Sequence, residues 1–444
     1  MKRAAWVGIL IFTLIGLMPV WADASLVDDV SASDGEEDDY FAAAVSVSSD
    51  VCIIGADGDD DKGTDAGAAY IFWFEDPNWV EEAKLTASDG QEYDYFGRSV
   101  SVSGDVCVVG ARGDDDNGLA SGSSYVFRFD GQQWIEEAKL TASDGATWDN
   151  FGWSVCIYGN VCIVGAKNDY TNGDGSGSAY IFRFDGAQWV EEQKLTASDA
   201  QANDFFGWSV SINSHVCLVG ARGDDGFAGA AYVFRHSEPN WVEEAKLVAS
   251  DRAENDWFGT SVAVDGEVCI VGAVGDDDDG QQSGSAYVFG FDGGSWIEEA
   301  KLTASDGTYY DVFGESVSIR GNVCAVSAPR DDDNGEESGS VYIFRYYDPN
   351  WVEEDKLTAF DGEVYDYFGS SVSIDSGTAV VGADGKGWDT GGAYLYAVEM
   401  CPAGDLSGDC MVNLGDFAML AEEWLTVYDM DDLAVLAQHW LGGG

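Results

Sequence analysis

A twelve-residue segment near the end of the chain carries oxygen-bearing side chains at the spacing of a calcium-binding loop. In such a loop the ligands come from positions 1, 3, 5, 9 and 12, with a main-chain carbonyl at position 7. Residues 405–416 supply this set, and the predicted ligands are Asp405, Ser407, Asp409, the carbonyl of Met411, Asn413 and Asp416. Residues 417–424 then place apolar side chains at helical spacing, so a helix is predicted after the loop. We therefore expect one Ca²⁺ site here.

Acidic loops also recur earlier in the chain. Residues 114–118 and 331–335 both read Asp-Asp-Asp-Asn-Gly, and alternate carboxylates beside a glycine turn are what Ca²⁺ needs. The weaker candidate ligands are Asp114, Asp116, Asp331 and Asp333. Adjacent aspartates match the ligand spacing of a calcium loop poorly, so a solvated acidic loop is the alternative.

Two further aspartates recur at the same place in seven successive segments. One set is Asp34, Asp89, Asp144, Asp199, Asp251, Asp306 and Asp361, and the other is Asp39, Asp94, Asp149, Asp204, Asp256, Asp311 and Asp366. An active site needs one asymmetric constellation, whereas sevenfold repetition suits a structural role. We predict that these carboxylates form turns or cap nearby backbone N–H groups.

No catalytic constellation stands out in the sequence. His215, His236 and His439 lack metal-binding or triad-like spacing, and there is no Gly-x-Ser-x-Gly, His-Glu-x-x-His or glycine-rich phosphate loop. Paired carboxylates suffice for glycoside hydrolysis, and the 81 acidic residues leave that chemistry open without singling out a pair. The sequence therefore favours a protein that is not an enzyme.

The elements that must position these groups are seven copies of one unit. Each copy opens with a phenylalanine, and these lie 55 residues apart except for one interval of 52: Phe41, Phe96, Phe151, Phe206, Phe258, Phe313 and Phe368. A fixed period of this kind marks supersecondary units that stack on one another. One unit alone cannot bury both of its faces, so the copies must pack together.

Each unit contains four short β-type runs separated by turn residues. In the second unit a hairpin turn at Gly104-Asp105 joins the first two runs, and another at Asp130-Gly131 joins the last two. Four antiparallel strands in a unit of this size are typical of a propeller blade. The seventh unit lacks its fourth strand, and residues 26–32 align with the end of that strand. We predict an all-β fold, a closed seven-bladed β-propeller of four-stranded antiparallel blades over residues 25–399, with an open solenoid as the alternative.

The repeated motifs Phe-Gly, Gly-Ala and Ser-Gly-Ser-Ala-Tyr-Val-Phe resemble the FG-GAP repeats of integrin-α-type propellers. The recurrence of Lys-Leu-Thr-Ala-Ser-Asp-Gly is similar to a bacterial secreted variant. The resemblance covers residues 26–398, with Ala42 and Ser327 replacing two of the glycines. Integrin-type blades often carry a calcium loop between the first two strands. A tight turn such as Gly104-Asp105 stands there in this chain, so those calcium sites are not expected.

Residues 400–444 depart from the repeat and resemble a type I dockerin, a small α-helical module built on calcium loops. Residues 432–441 repeat residues 416–425 almost position for position, but the second loop has lost its first half. The resemblance implies docking to a cohesin-like or other cell-surface or extracellular protein. Its partner-binding positions are Leu414, Gly415, Met430 and Asp431, which are unusual residues there. A structural cap or a sorting tag is the alternative.

The cysteines divide into two groups. Six occupy one slot in successive units, which alanine fills in the seventh, so we predict that they are buried and unpaired: Cys52, Cys107, Cys162, Cys217, Cys269 and Cys324. In the C-terminal module, Cys401 and Cys410 are a plausible disulfide pair.

Residues 1–24 have the pattern of a secretory signal peptide. Lys2 and Arg3 precede an apolar stretch, and Ala22-Asp23-Ala24 has the form of a cleavage site. A membrane anchor is the alternative, although the apolar stretch is short for a span. We expect a secreted or surface-associated protein without a membrane span after cleavage. The net charge of −60 argues against nucleic acid or anionic membrane as a partner.

Together these features favour a secreted, non-catalytic binding or adhesion propeller that is anchored or assembled through a calcium-dependent, dockerin-like tail. Polysaccharide is a candidate ligand of the propeller, and loop aromatics are candidates for stacking on sugars or for packing between blades: Tyr93, Trp148, Trp257 and Tyr310. The alternatives are a dockerin-tethered enzyme acting on polysaccharide and a purely structural extracellular protein. An enzyme should show unrepeated polar residues at one mouth of the ring, so the near-uniform units favour binding or structure.

Overall fold

The computed structural model describes residues 24–400. Within this range it contains seven four-stranded sheets, which we number as blades in chain order. The predicted signal peptide and the C-terminal module, with its calcium loop, cysteine pair and partner-binding positions, lie outside the described residues. Between residues 24 and 400 no helix is both long enough and apolar enough to cross a membrane.

Each blade is an antiparallel meander of strands that follow one another in the chain. Blade 1 contains β2 (Phe41–Ser48), β3 (Val51–Ala56), β4 (Ala68–Glu75) and β5 (Asn78–Leu85). Blade 2 contains β6 (Phe96–Ser103), β7 (Val106–Ala111), β8 (Ser123–Phe129) and β9 (Trp134–Leu140). Blade 3 contains β10 (Phe151–Tyr158), β11 (Val161–Ala166), β12 (Ser178–Phe184) and β13 (Trp189–Leu195). Blades 4 and 5 contain β14 (Phe206–Ile212), β15 (Val216–Ala221), β16 (Ala230–Ser237) and β17 (Asn240–Leu247); and β18 (Phe258–Asp265), β19 (Val268–Ala273), β20 (Ser285–Phe291) and β21 (Trp296–Leu302). Blades 6 and 7 contain β22 (Val317–Arg320), β23 (Val323–Ala328), β24 (Ser340–Tyr347) and β25 (Asn350–Leu357); and β26 (Val372–Asp375), β27 (Thr378–Ala383) and β28 (Gly392–Ala397). Two helical turns, Asp224–Phe227 and Lys386–Asp389, lie in the loops before β16 and β28.

The N-terminal strand completes the last blade, as the sequence predicted. Strand β1 (Ser25–Val30) lies beside β28, so the sheet order of blade 7 is β1-β28-β27-β26. Contacts between neighbouring blades also continue from blade 7 to blade 1. Gly391 forms a bridge with Phe41, as Gly67 does with Phe96, and the backbone N–H of Val47 donates to the Ser373 hydroxyl. The ring is therefore closed, and the open solenoid is excluded.

The interior of the ring forms where blades face one another. The second strand of each blade is almost entirely buried, and β7 is buried along its whole length, because the two sides of this strand face two neighbouring blades. A Cβ atom at Gly110 would lie 2.1 Å from the carbonyl oxygen of Gly152 in the next blade. The glycine of Gly-Ala is thus needed for close approach of the backbones. The six equivalent cysteines are buried and free. The prediction of unpaired thiols is therefore confirmed.

The first strand of each blade lies nearest the axis, because it packs against the first strands of both neighbouring blades. Its pairing with the second strand is interrupted near its start. In blade 2, Phe96 pairs with Ala111 and Ser99 with Gly110, so Gly97 and Arg98 lie outside the ladder. Such a bulge re-aims the side chain that it carries. The residue after Phe-Gly is therefore placed at the axial end of the sheet, beside the residue that follows Gly-Ala.

Candidate functional site

The predicted blade ligands belong to ionic clusters that also contain a lysine and a tyrosine. In blade 2 the Lys139 ammonium lies 2.8 Å from Asp89, 2.8 Å from Asp114 and 2.7 Å from Asp116. The Tyr125 hydroxyl lies 2.8 Å from the Asp89 carboxylate and 3.0 Å from that of Asp114. Hydrogen bonds from Lys139 and Tyr125 hold the pKa of Asp89 below its ordinary value, despite the opposing effect of burial. The cluster ties the loop after the second strand to the fourth strand.

The same arrangement holds the other candidate calcium ligands. Lys356 lies 3.1 Å from Asp331 and 2.6 Å from Asp333. In both blades an ammonium therefore stands among the carboxylates that Ca²⁺ would use, and the ion would have to compete with it. Calcium binding by these loops stays a prediction.

Blade 7 has an equivalent ion pair, but its lysine comes from a different position in the chain. Its fourth strand, β1, carries no lysine, and Lys386 in the loop before β28 lies 2.9 Å from Asp361 instead. The Lys386 ammonium also lies 4.6 Å from the ring centroid of Tyr394, the tyrosine equivalent to Tyr125.

The two sets of recurring aspartates have different structural roles. Asp94 caps a turn, because its carboxylate accepts a hydrogen bond from the backbone N–H of Gln91, and the equivalent residues do the same. Burial raises the pKa of Asp94 to about 6. The capping prediction is thus confirmed for this second set. The residues of the first set lie in turns, as predicted, and the carboxylates of Asp89 and its equivalents also bind the tyrosine and lysine described above.

One end of the axial opening departs from the sevenfold pattern. In blades 2, 3 and 4 the residue after Phe-Gly and the residue after Gly-Ala are cationic or aromatic, and we call these six residues the axial mouth: Arg98, Arg112, Trp153, Lys167, Trp208 and Arg222. The equivalent residues in the other blades are neutral or acidic: Ala43, Asp57, Thr260, Val274, Glu315, Pro329, Ser370 and Asp384. The opening therefore has a cationic, aromatic side and an acidic side.

The cations of the axial mouth stack on aromatic rings. The Lys167 ammonium lies 3.2 Å from the ring centroid of Trp153 and 4.3 Å from that of Trp208. The guanidinium of Arg222 lies 4.2 Å from the Trp208 ring centroid. Glu315 acts on Arg222 and opposes the effect of burial on the pKa of that guanidinium, whereas the charged groups that act on Lys167 are all arginines. Each of these stacking contacts stabilises a cation by roughly 0.5–2 kcal/mol, which is less than a buried charge needs.

Arg98 and Arg112 complete the cationic side. Arg112 stacks on Tyr95 with its guanidinium 4.0 Å from the ring centroid, and its Nε is buried without a hydrogen-bond partner. Arg98 approaches a carboxylate only loosely, with 3.9 Å between its Nε and Asp57. The buried Arg112 Nε is therefore a donor without a partner, and both arginines line the cavity described below.

The crowding of like charges shifts the pKa values of residues in the axial mouth. Burial, with Arg112, Arg222 and Arg98 nearby, lowers the pKa of Lys167 to about 7. Burial also lowers the pKa of the Arg112 guanidinium from its ordinary value. On the acidic side, burial raises the pKa of Asp384 to about 6, against the opposing effect of Arg98. A bound anion would stabilise the charged form of Lys167.

A cavity of about 340 Å³ opens at the junction of the two sides. Arg98, Arg112 and Trp153 line it from blades 2 and 3, and Asp57 and Asp384 line it from blades 1 and 7. Its remaining lining residues are Tyr40, Ala43, Gly58, Asp65 and Tyr95. The volume lies at the lower end of the range of small-molecule sites. The cavity thus offers guanidinium donors, carboxylate acceptors and aromatic walls to one small group.

The sequence-based reasoning missed this site, although the signal was present. In sequence order the residues after Phe-Gly, or after Phe41-Ala42 in the first unit, read Ala, Arg, Trp, Trp, Thr, Glu and Ser. That variation contradicts the expectation of near-uniform units at the mouth. Of the loop aromatics chosen instead, Tyr93, Trp148 and Tyr310 are exposed, whereas Trp257 contacts the mouth because its ring lies under the Arg222 guanidinium.

Comparison with known proteins identifies the class of this propeller. The family model for the FG-GAP repeat matches seven segments: residues 25–72, 79–127, 134–182, 189–234, 241–289, 296–344 and 351–396. The chain therefore belongs to the FG-GAP repeat family. The first matched segment begins on β1, the strand that completes blade 7. A search of curated proteins gives no match to the chain.

Proposed function

We propose that the protein is an exported, non-catalytic binding protein whose ligand site is the axial mouth of the propeller. The observation that supports a ligand site most directly is the set of unrepeated cations and aromatic rings in blades 2 to 4. Unrepeated polar residues at one mouth are also what we expect of an enzyme, so this asymmetry argues against a purely structural ring. We favour binding over catalysis because cations and aromatic rings predominate in the set. A purely structural ring has no need to gather four cations at one opening, where Lys167 stands among arginines, because crowded like charges in a confined opening reduce stability. The FG-GAP propeller fold is consistent with such a role.

The tail supplies the attachment in this proposal. The loop at residues 405–416 would bind one Ca²⁺, and the dockerin-like segment would dock to a cohesin-like or surface protein. Export by the signal at residues 1–24 would place both parts outside the cell. The propeller would then present its ligand site from a fixed support.

A pull-down from the secretome and envelope of the source organism tests the attachment. The bait is the mature chain, with calcium or with a chelator, next to the Asp405→Ala/Asp416→Ala variant. We expect a protein partner that is held only with calcium and is lost with the double variant. Capture that ignores both changes contradicts docking through the tail.

A second candidate function is hydrolysis of a polysaccharide. The observation that favours it is that Asp57 and Asp384 line one cavity, and that burial raises the pKa of Asp384 to about 6. A pair of carboxyl groups of which one has a raised pKa is the arrangement used by glycosidases. Release of reducing ends from polysaccharides by the mature chain, abolished by Asp384→Asn, would establish this function. Unchanged polysaccharide after prolonged incubation favours the binding role.

A further inference from the structure

We propose that the axial mouth binds an acidic sugar, a pyranose ring that carries a carboxylate or a sulfate group. This inference rests on the proposed function and names the ligand class for the same site. It follows from the donors, acceptors and ring faces that surround the cavity.

The anionic group of the sugar matches the cationic side. Arg98 and Arg112 both line the cavity, and the Arg112 Nε is buried without a hydrogen-bond partner. A guanidinium binds a carboxylate or sulfate through two parallel N–H donors, which is the strongest form of such contact. Lys167 lies beyond Trp153 and contributes positive potential to the same side.

The hydroxyl groups of the sugar match the acidic side. Asp57, Asp65 and Asp384 line the same cavity as the guanidinium groups, with Asp57 3.9 Å from the Arg98 Nε, and carboxylates accept hydrogen bonds from hydroxyls. A simple inorganic anion has no use for these acceptors and would be repelled by them. A ligand with one acidic group and several hydroxyls satisfies both sides at once.

The walls of the cavity fit a sugar ring better than an acidic peptide. Tyr40, Tyr95 and Trp153 line the cavity, and aromatic faces pack against the apolar C–H faces of pyranose rings. An acidic peptide would bring a second carboxylate or a backbone carbonyl toward Asp57 and Asp384. The electrostatic cost of that contact favours the sugar.

The overall charge of −60 does not prevent this binding. At physiological ionic strength charges more than about 8 Å apart are largely screened, so the groups that touch the ligand dominate. We therefore expect an acidic oligosaccharide to bind in 0.15 M salt despite the acidic surface of the protein.

Isothermal titration calorimetry on the mature full-length chain tests the proposal. The ligands are oligogalacturonate, a sulfated oligosaccharide of the same length, a neutral oligosaccharide of the same length and an oligoglutamate peptide. The variants are Arg98→Gln/Arg112→Gln and, as a matched control, Arg128→Gln. Arg128 bonds Glu137 on the fourth strand of blade 2 and is not part of the mouth.

We expect one or both acidic oligosaccharides to bind, with affinity that falls roughly 10- to 100-fold in the double variant and is unchanged in the control. Whichever acidic oligosaccharide binds more tightly identifies the recognised group as carboxylate or sulfate. Equal binding of the neutral oligosaccharide, or binding of oligoglutamate alone, overturns the acidic-sugar ligand but leaves the mouth as the binding site. Binding that the double variant does not alter overturns the site and the proposed function together.

Discussion

The ammonium of Lys167 lies 3.2 Å from the ring centroid of Trp153, with Arg112 and Arg222 as its charged neighbours. Burial and these like charges lower the pKa of Lys167 to about 7, far below that of a lysine in water. A charge held in this way reduces the stability of the free protein and is available to a ligand.

Lys167→Met should stabilise the free protein at pH 6 while weakening the binding of acidic sugars. The folded protein holds the Lys167 proton less tightly than the unfolded chain does. The stability cost is therefore full below pH 7 and fades as the pH rises toward the ordinary pKa of lysine. We expect a gain of roughly 1 kcal/mol at pH 6, measured by urea unfolding. A loss of stability would show that the residue is structural.

The affinity for acidic sugars should fall as the pH rises from 6 to 8. Lys167 is charged below its pKa of about 7 and neutral above it, so the positive charge that faces the anion is lost in this range. Calorimetric titrations at pH 6, 7 and 8 measure the effect, with Lys167→Met as the reference. A slope that persists unchanged in this variant would assign the titration to another group.

Lys139→Met should destabilise the protein, in contrast to Lys167→Met. Asp89, Asp114 and Asp116 would remain together without the ammonium that now contacts all three. Asp114 is buried but Asp89 and Asp116 are about half exposed, so solvent screens part of the repulsion and we expect a loss of about 1–3 kcal/mol in thermal unfolding. Calcium should raise the Tm of this variant more than that of the parent, because the three carboxylates can then take an ion. Lys62→Met, at an exposed lysine, is the control.

Asp149→Asn should reduce the fall in stability between pH 4 and pH 6, to which Asp94 and its other equivalents also contribute. Burial raises the pKa of Asp149 to about 6. The folded state therefore binds the proton more tightly than the unfolded chain, and stability falls as the pH rises through this window. An asparagine side chain can still accept from the N–H of Ala146, the bond that Asp149 makes now. Above pH 6 the variant should gain on the order of 1–2 kcal/mol, measured by urea unfolding at pH 4.5 and 7.

Gly110→Ala should destabilise the ring more than Gly104→Ala. The new Cβ at residue 110 would lie 2.1 Å from the carbonyl oxygen of Gly152, whereas nothing lies within 4 Å of a Cβ at residue 104. Gly104 has φ of +61°, so its variant meets only backbone strain of about 1 kcal/mol. Gly110→Ala must separate two blades, and we expect a loss of about 3 kcal/mol or more in thermal unfolding. Equal effects would mean that the blades separate without strain.

The sevenfold part of the fold was predictable from the sequence because each motif recurs at a nearly fixed interval. Phe41 and its six equivalents gave the blades, and the missing fourth strand of the seventh unit assigned residues 26–32 to ring closure. The role of Lys139 was less visible, since its carboxylate partners come from separate loops. The recurring Asp89 therefore looked like a turn residue only, whereas it also joins the loop cluster of its own blade.

The axial mouth was not predicted because two facts are needed together. The Phe-Gly bulge turns Arg98 out of the ladder, and the end of the second strand places Arg112 beside it. Arg98 and Arg112 are separated in the sequence, so the sequence alone does not show that they lie side by side. Variation after Phe-Gly looks like tolerance of substitution until the first strands are known to lie at the axis.

A crystal structure of the mature chain with the acidic oligosaccharide that binds most tightly tests the central claim most directly. We predict one acidic pyranose in the cavity, with its carboxylate or sulfate within hydrogen-bond distance of Arg98 and Arg112 and its hydroxyls facing Asp57 and Asp384. A ligand seated on the exposed loop aromatics Tyr93 and Trp148, or a mouth left empty at saturating ligand, would contradict the account.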